Sequence, residues 1–433
     1  MQSAYRPIRV ALLGAGSVGS QVARLLLENK DELARRVGTE LELSGIAVRN
    51  VGAKRDADLP SELFTEDAES LIIGSDIVIE LIGGIEPAKS WITLALQSGA
   101  DVVTANKALI AAHGSELLGL AEQLGAQLYY EAAVGGAIPI IRPLRESLAG
   151  DRINRVMGIV NGTTNYILDQ MESTGADFAD ALKEAQDLGY AEADPTADVE
   201  AYDAASKAAI LASLAFHSEV PVEQVYREGI TSVSAMQIET ARDAGYSVKL
   251  LAICERVNEG ESGLVVRVHP TLIPLEHPLA AVRGAYNAVF VEAESAGQLM
   301  FYGAGAGGPE TASAVLGDLV SAAKRHIAGG PGLSDSTHAN LSVLPIQNVR
   351  TRFQITLEVQ DKPGVLASVA NEFGSHGVSV ETVTQSAAGA GVAAQLTIMT
   401  HSALERDLES LVESLTKNDF VVQVDSVIRV EGI

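Results

Sequence analysis

Short apolar runs closed by glycine alternate with amphipathic stretches over the first third of the chain. Residues 8–13 form such a run and read as a buried strand. Residues 20–28 follow with Val22, Leu25 and Leu26 at helical spacing. The same alternation gives strands at 41–48, 76–81, 101–104 and 127–130, with a helix at 91–98. Strands separated by helices predict a parallel sheet with crossover connections. Ligands of such sheets sit at the carboxyl ends of the strands. Gly14, Gly83, Asn106, Lys107 and Glu131 are expected there.

The pattern changes after Arg152. Residues 156–160 read as a strand, 161–165 as a polar loop, and a helix starts at 166–171. A helix at 180–188 stops at Gly189, a usual C-terminal signal. Residues 199–216 are expected as one long Ala-rich helix. Residues 248–254, 263–268 and 286–292 look like antiparallel strands. Residues 301–309 read as a Gly-rich loop, and Pro309 opens a helix at 310–325 that would return to the first domain. Residues 328–350 read as a linker. From 351 the order is strand 353–359, turn 361–364, helix 365–376, strand 378–385, hairpin turn 389–391, strand 392–399, helix 403–418 and strand 421–430. That βαββαβ order is ferredoxin-like. The expected fold is α/β: a Rossmann-type domain at 1–131, an α+β substrate and dimerisation domain at 132–327, and a ferredoxin-like domain at 351–433.

Composition narrows the function classes. The formal net charge of −25 gives a nucleic-acid role no support. No apolar run is long enough to span a bilayer. Arg6 and Arg9 before an apolar run faintly resemble a signal peptide, but the run turns into Gly14-Ala15-Gly16, so strand and turn fit better. The single cysteine, Cys254, cannot form an internal disulfide, which fits a reducing, cytoplasmic setting. It follows an apolar string, so a buried structural thiol is expected. The histidines are scattered and give no metal site.

Three stretches carry chemistry. Gly14-Ala15-Gly16-Ser17-Val18-Gly19 is a G-x-G-x-x-G that follows a strand and opens a helix. Its glycines admit a pyrophosphate to the backbone, and the helix N-terminus offers N–H groups to the anion. An NAD site usually carries a carboxylate after the second strand. Here Val48-Arg49-Asn50 stands there, with Lys54 and Arg55 behind, which favours the 2′-phosphate of NADP(H) over NAD(H). Arg49 as a plain surface residue is the other reading. The second stretch, residues 131–139, is Gly-rich with one carboxylate. It can hold a hard monovalent cation on oxygen ligands, or can be a chain reversal between domains. The third, residues 189–198, is an acid-rich loop holding Glu192 and Asp198. Asp203 and Lys207 follow at i and i+4, on one helix face. A carboxylate and an ammonium so placed suit proton transfer on a small polar substrate. An exposed i,i+4 ion pair fits the same spacing.

These residues resemble the homoserine dehydrogenase family along nearly the whole chain. Residues 189–207 resemble its signature, with Ala201 where that pattern has glycine. Asp361-Lys362-Pro363-Gly364-Val365-Leu366 resembles the start of an ACT domain, an amino-acid-sensing module. No kinase-sized segment precedes Ile8, so the monofunctional form is expected. The resemblance implies Lys207 as the catalytic lysine, with Asp203 and Lys107 as its partners. It implies Glu192 on the substrate ammonium, with Asp198, Gly162 and Thr163 also at the substrate. Cofactor contacts would be Gly14, Gly16, Ser17, Val18, Gly19, Arg49, Lys54, Asn106, Lys107, Gly189 and Gly303. Glu131, with the carbonyls of Val134, Gly136 and Ile138, would hold Na⁺ or K⁺. The implied reaction is reversible NAD(P)-linked oxidation of L-homoserine to L-aspartate 4-semialdehyde, in threonine, methionine and isoleucine biosynthesis. L-threonine would act at the ACT domain of a homodimer or homotetramer. An aspartate-semialdehyde dehydrogenase would need a cysteine nucleophile, which Cys254 is poorly placed to be. A non-catalytic ACT sensor on a dehydrogenase scaffold is the rival from another class.

Overall fold

The computed structural model describes residues 6–53, 57–257, 262–329, 335–388 and 393–432. The chain divides into two compact units. One comprises Met1–Gly162, Ser206–Glu223 and Tyr286–Leu341; the other comprises Thr163–Ala205, Gln224–Ala285 and Ser342–Ile433.

The first unit is built on six parallel strands: β1 (Ile8–Leu13), β2 (Leu41–Ala47), β3 (Phe64–Thr65), β4 (Ile77–Glu80), β5 (Asp101–Thr104) and β6 (Leu128–Tyr129). They lie in the order β3-β2-β1-β4-β5-β6, the doubly wound order of dinucleotide-binding sheets. β4 and β5 are buried at every position, as expected of strands covered on both faces. Register sets the site: Leu13 pairs with Ala47 and Glu80, and Glu80 pairs with Thr104. The turns after β1, β4 and β5 therefore leave the sheet at one edge.

Helix Ser17–Glu28 packs Val22 and Leu26 onto this sheet. Helix Gly308–Ala328 joins the same core through Ala312, Val315, Leu319, Ala322 and Ala323, so the chain comes back to the nucleotide fold. Helices Lys30–Val37, Ala68–Ile73 and Lys107–Leu124 add to those read from the sequence. The unit also holds an antiparallel set, Ile153–Ile159, Tyr286–Ala293 and Gly297–Ala304. Residues 301–304, expected as loop, are thus the end of a strand; only the glycines beyond them turn.

In the second unit, Tyr246–Val257 and Gly263–Pro274 form a long antiparallel pair. The last segment folds as βαββαβ: strands Arg350–Gln360, Val380–Ala388, Ala393–Thr400 and Val421–Val430, with helices Val365–Ser375 and Glu405–Thr416. Phe353, Ile355, Leu357, Phe373, Leu396, Leu408 and Leu411 make its core. The second helix begins two residues later than expected, because Ala403–Leu404 pairs with the first strand of the segment. The expected hairpin turn at 389–391 lies outside the described residues.

The helix expected at 199–216 is broken. Thr196–Val199 is one short turn, and a new helix runs Tyr202–Phe216. Ala201 between them is left-handed, with φ of 63°. A Cβ in that region meets the carbonyl oxygen, so an Ala-rich composition pointed to continuous helix where tertiary contacts impose a turn.

Candidate active site

The first unit gathers the elements expected to bind a nucleotide. Gly14 has φ of 99°, and a Cβ there would stand 2.8 Å from the Leu81 carbonyl oxygen. A Cβ on Gly19 would stand 2.2 Å from the Gly14 carbonyl oxygen, whereas one on Gly16 meets nothing within 4 Å. Gly16 and Ser17 are exposed, Val18 is half-buried, and no side chain caps the helix that starts at Ser17. The turn is closed on its protein side and open on the side an anion approaches. Gly308 starts its own helix with its Cα against Ser17: a Cβ there would lie 3.0 Å from Ser17 Oγ. Two helix N-termini thus open side by side.

At the ends of β4 and β5 a buried polar network sets the neighbouring loops. Glu80 is fully buried. Its carboxylate accepts from the N–H groups of Ile82 (2.8 Å) and Gly83 (3.2 Å) and from Thr104 Oγ1 (2.6 Å). Thr104 Oγ1 accepts from Asn106 N–H at 3.0 Å, and Asn106 Nδ2 donates to the Gly84 carbonyl at 2.6 Å. Asn106 Oδ1 caps the helix that begins at Lys107, whose side chain is exposed. Sequence reasoning missed Glu80. The available signal was a carboxylate ending an otherwise apolar strand, since a buried charge needs donors. Arg49 is exposed just beyond β2, which ends without a carboxylate; Lys54 lies outside the described residues.

Glu131 is buried, and its carboxylate accepts from the N–H groups of Ile140 (2.6 Å), Ile141 (2.8 Å) and Arg142 (3.0 Å). It caps the segment that follows, so this carboxylate is already satisfied. Asp318 accepts from Glu131 N–H at 2.8 Å and from Arg142 at 2.5 Å. Burial nevertheless pushes the Asp318 carboxyl up to about 6. The loop holding Val134, Gly136 and Ile138 is buried. It packs so closely that a Cβ on Gly136 would lie 2.5 Å from the Gly305 carbonyl. Gly303 is the penultimate residue of strand Gly297–Ala304, and Ala304 O accepts from Ala137 N–H.

Lys207 is 8% exposed, and its Nζ donates to the Val160 carbonyl at 2.7 Å. Asp203, one turn earlier on the same helix, is 7% exposed. Such burial removes the exposed ion pair as an account of this spacing: a carboxylate and an ammonium this far from water must be partnered or used. The Val160 carbonyl had no signal in the sequence.

The second unit gathers the acid-rich loop. Gly189 is exposed with φ of 78°. Thr163 Oγ1, in the first turn of helix Gly162–Thr174, donates to the Tyr190 carbonyl at 2.6 Å. Tyr166 and Tyr190 rings lie 4.9 Å apart. Gln186 donates to the Glu192 carbonyl at 3.1 Å, leaving the exposed Glu192 carboxylate at the loop tip. Asp194 accepts from Thr196 N–H and Oγ1, and these bonds hold its carboxyl below its usual range. Asp198 is half-buried, and its carbonyl accepts from Ala201 N–H at 2.9 Å. The loop thus presents Glu192 and Asp198 and ends one residue before Tyr202, where the helix of Asp203 begins.

Cys254 is fully buried in Tyr246–Val257, and burial pushes its thiol up to about 12. It is no nucleophile. A cleft of about 860 Å³ in the first unit is lined by Ile110, Gly114, Ala209, Ser213 and Asp335; it contains none of the expected site residues. No helix among the described residues is long and apolar enough to cross a membrane.

Residues 139–320 match the family model described as homoserine dehydrogenase. Residues 14–131 match its NAD binding domain, and residues 353–420 match the ACT domain. A homoserine dehydrogenase of Corynebacterium glutamicum is 55% identical over 428 residues, covering 98% of this chain and 96% of that one. One of Mycobacterium tuberculosis is 53% identical, covering 99% and 98%. Among solved structures, a homoserine dehydrogenase from Thiobacillus denitrificans superposes with a TM-score of 0.90 at 38% identity, covering 99% of each chain. A hyperthermophilic archaeal homoserine dehydrogenase in complex with NADPH gives a TM-score of 0.61 at 29% identity, over 73% of this chain and 98% of that one.

Proposed function

Since the chain belongs to the homoserine dehydrogenase family, an oxidoreductase family with an NAD-binding domain, we propose that it uses NADP(H) to interconvert L-homoserine and L-aspartate 4-semialdehyde, with Lys207 as its acid. The observation that carries this is the buried Lys207 ammonium one helical turn from the buried Asp203. The bound nicotinamide supplies or accepts the hydride. On reduction, negative charge grows on the aldehyde oxygen, and a positioned ammonium stabilises it and delivers a proton. Lys207 takes that role, supported by Lys107. Asp203, one turn earlier on the same helix, helps orient Lys207. Glu192 pairs with the substrate ammonium, and Asp198, Gly162 and Thr163 complete the substrate contacts.

The Gly14–Gly19 turn receives the pyrophosphate, with Ser17, Val18, Asn106, Gly189 and Gly303 as further contacts. The cation Arg49, exposed where an NAD site carries an acid, supports NADP, as does the NADPH in the archaeal relative's structure. The 131–138 loop fits Na⁺ or K⁺ by its oxygen chemistry. Because the Glu131 carboxylate is occupied by N–H donors, the backbone carbonyls of Glu131, Val134, Gly136 and Ile138 would be the ligands. The same reading places the enzyme in the cytoplasm, as a homodimer or homotetramer, in threonine, methionine and isoleucine biosynthesis, with L-threonine acting at the ACT domain.

Steady-state turnover of L-homoserine with NADP tests the central assignment. Lys207→Ala should lower kcat about 1,000-fold with cofactor affinity largely kept. Near-normal turnover in that variant would overturn the role of Lys207.

A further inference from the structure

The left-handed turn at Ala201 is gripped by one segment, residues 226–231. Ile230 N–H donates to the Val199 carbonyl at 2.8 Å. Arg227 donates to the Glu200 carbonyl at 2.9 Å, and its guanidinium lies 3.5 Å from the centre of the Tyr202 ring. Thr231 Oγ1 donates to the Glu200 carboxylate at 2.9 Å. Gly229 lies so close that a Cβ there would stand 2.4 Å from the Val199 carbonyl oxygen. A residue held in the left-handed region persists only where its surroundings over-determine it.

The gripping segment is itself anchored in the C-terminal domain. Tyr226 and Arg227 pair in parallel with Arg267 and Val268 of Gly263–Pro274. Thr271 and Leu272, further along that strand, pair with Arg429 and Val430 of the last strand. Val430 also pairs with Arg352 inside the ACT-like fold. Arg429 joins the two sides by its side chain. It donates to Glu405 at 2.7 Å, where the last helix starts, and to Glu228 at 2.9 Å. It also reaches Tyr226 Oη at 3.3 Å. Its guanidinium lies near the faces of both Tyr226 and Phe353. Glu405 is fully buried, and the Arg429 side chain is only 9% exposed. A planar, always-charged fork shared between two carboxylates fixes their direction as well as their distance.

We propose that Arg429 is a positioning residue for the substrate turn: through Glu228 and Arg227 it holds Ala201 left-handed, and so sets where the 192–198 loop stands. This inference rests on the assignment of residues 192–203 to the substrate site. It makes L-homoserine binding depend on a residue in the C-terminal strand, well removed in sequence from the acid-rich loop.

The test is full-chain kinetics with L-homoserine and NADP, each varied separately. Arg227→Ala, at an exposed side chain, should raise the KM for L-homoserine about tenfold, with kcat and the KM for NADP within about twofold. Glu228→Gln and Arg429→Lys should move the same parameter in the same direction. Ala201→Gly, which accepts the left-handed conformation unaided, should return the KM of Arg227→Ala most of the way to normal; a merely structural role for Arg227 predicts no such rescue. Unchanged KM in Arg227→Ala and Glu228→Gln, a rise not relieved by Ala201→Gly, or an equal rise for NADP would overturn the proposal. Asp203→Asn is the control. If it leaves turnover and KM unchanged, the substrate-site assignment itself fails; if it cripples the enzyme while Arg227→Ala and Glu228→Gln do nothing, only the positioning role fails.

Discussion

The turn that opens helix Ser17–Glu28 and the turn that opens helix Tyr202–Phe216 are built by opposite means. The first is encoded in its own residues. Gly14 takes a φ of 99°, Gly19 leaves room for a carbonyl, and Gly16 leaves the outer face clear. The second has no glycine. Ala201 takes a φ of 63° at a cost of roughly 1–2 kcal/mol, and residues 226–231 impose it. A locally encoded turn survives changes in its neighbours, whereas an imposed one transmits them. On the proposed assignments, the first is a fixed cradle for the nucleotide, and the second leaves the substrate loop open to control from elsewhere in the fold.

The largest expected effects lie in the encoded turn. Gly19→Ala puts a methyl 2.2 Å from a backbone oxygen that cannot swing aside. NADP should bind at least about 100-fold more weakly, with a clear fall in Tm, because the turn itself must move. Gly16→Ala meets no protein atom within 4 Å. Its Tm should stay the same, while NADP affinity falls about tenfold as the methyl enters the space a pyrophosphate needs. Calorimetric titration and thermal melts separate the two variants. Equal melting losses in both would show that the turn is not closed on one side and open on the other.

The imposed turn should respond in the opposite sense. Ala201→Gly removes the Cβ penalty and should stabilise the protein by about 1 kcal/mol, net of the glycine's greater unfolded-state entropy. Ala201→Val, with a β-branched side chain in a left-handed position, should destabilise it by at least as much. Urea unfolding measures both. A destabilised Ala201→Gly would mean that Ala201 is not strained and that the two turns do not differ in kind.

The same contrast explains what was legible in the sequence. Gly14, Gly16 and Gly19 announce their turn because their conformations are a property of glycine. β1, β4 and β5 are legible because each carries a short apolar run, residues 10–13, 77–79 and 102–103, buried in the sheet. The βαββαβ order of the C-terminal segment was legible from alternation and turn residues. The break at Ala201 was not, since nothing local in an Ala-rich stretch opposes a helix; the cause lies in Arg227 and Gly229, distant in sequence. Glu80 was passed over because a carboxylate at a strand end looks like a surface residue until its three donors are seen. The Val160 carbonyl that receives Lys207 is backbone, and no side-chain pattern encodes it. For Glu131, the residue type points to an oxygen ligand, whereas its carboxylate accepts from three backbone N–H groups that no side-chain pattern encodes.

A further effect, confined to alkaline pH, concerns a charge whose behaviour is also imposed from outside. Lys249 is fully buried in Tyr246–Val257, and its Nζ donates to the Val282 carbonyl at 2.7 Å. Asn165, two residues after Thr163 on helix Gly162–Thr174, donates to the Gly284 carbonyl at 2.8 Å, so Lys249 helps hold the loop against which the helix of Thr163 rests. Burial pushes Lys249 down to about 8, against an ordinary value near 10.5. Between those values the unfolded chain binds the proton and the folded chain does not, so stability must rise with pH through that window. The whole rise is at most about 3 kcal/mol. Lys249→Met removes the titrating group. The unfolding free energy of the unsubstituted protein, minus that of the variant, should be level below about pH 7.5 and climb from about pH 8 to 10. A difference that stays flat through pH 10 would mean that the site accommodates the ammonium at no cost, and that the pocket around Lys249 is far more polar than its burial implies.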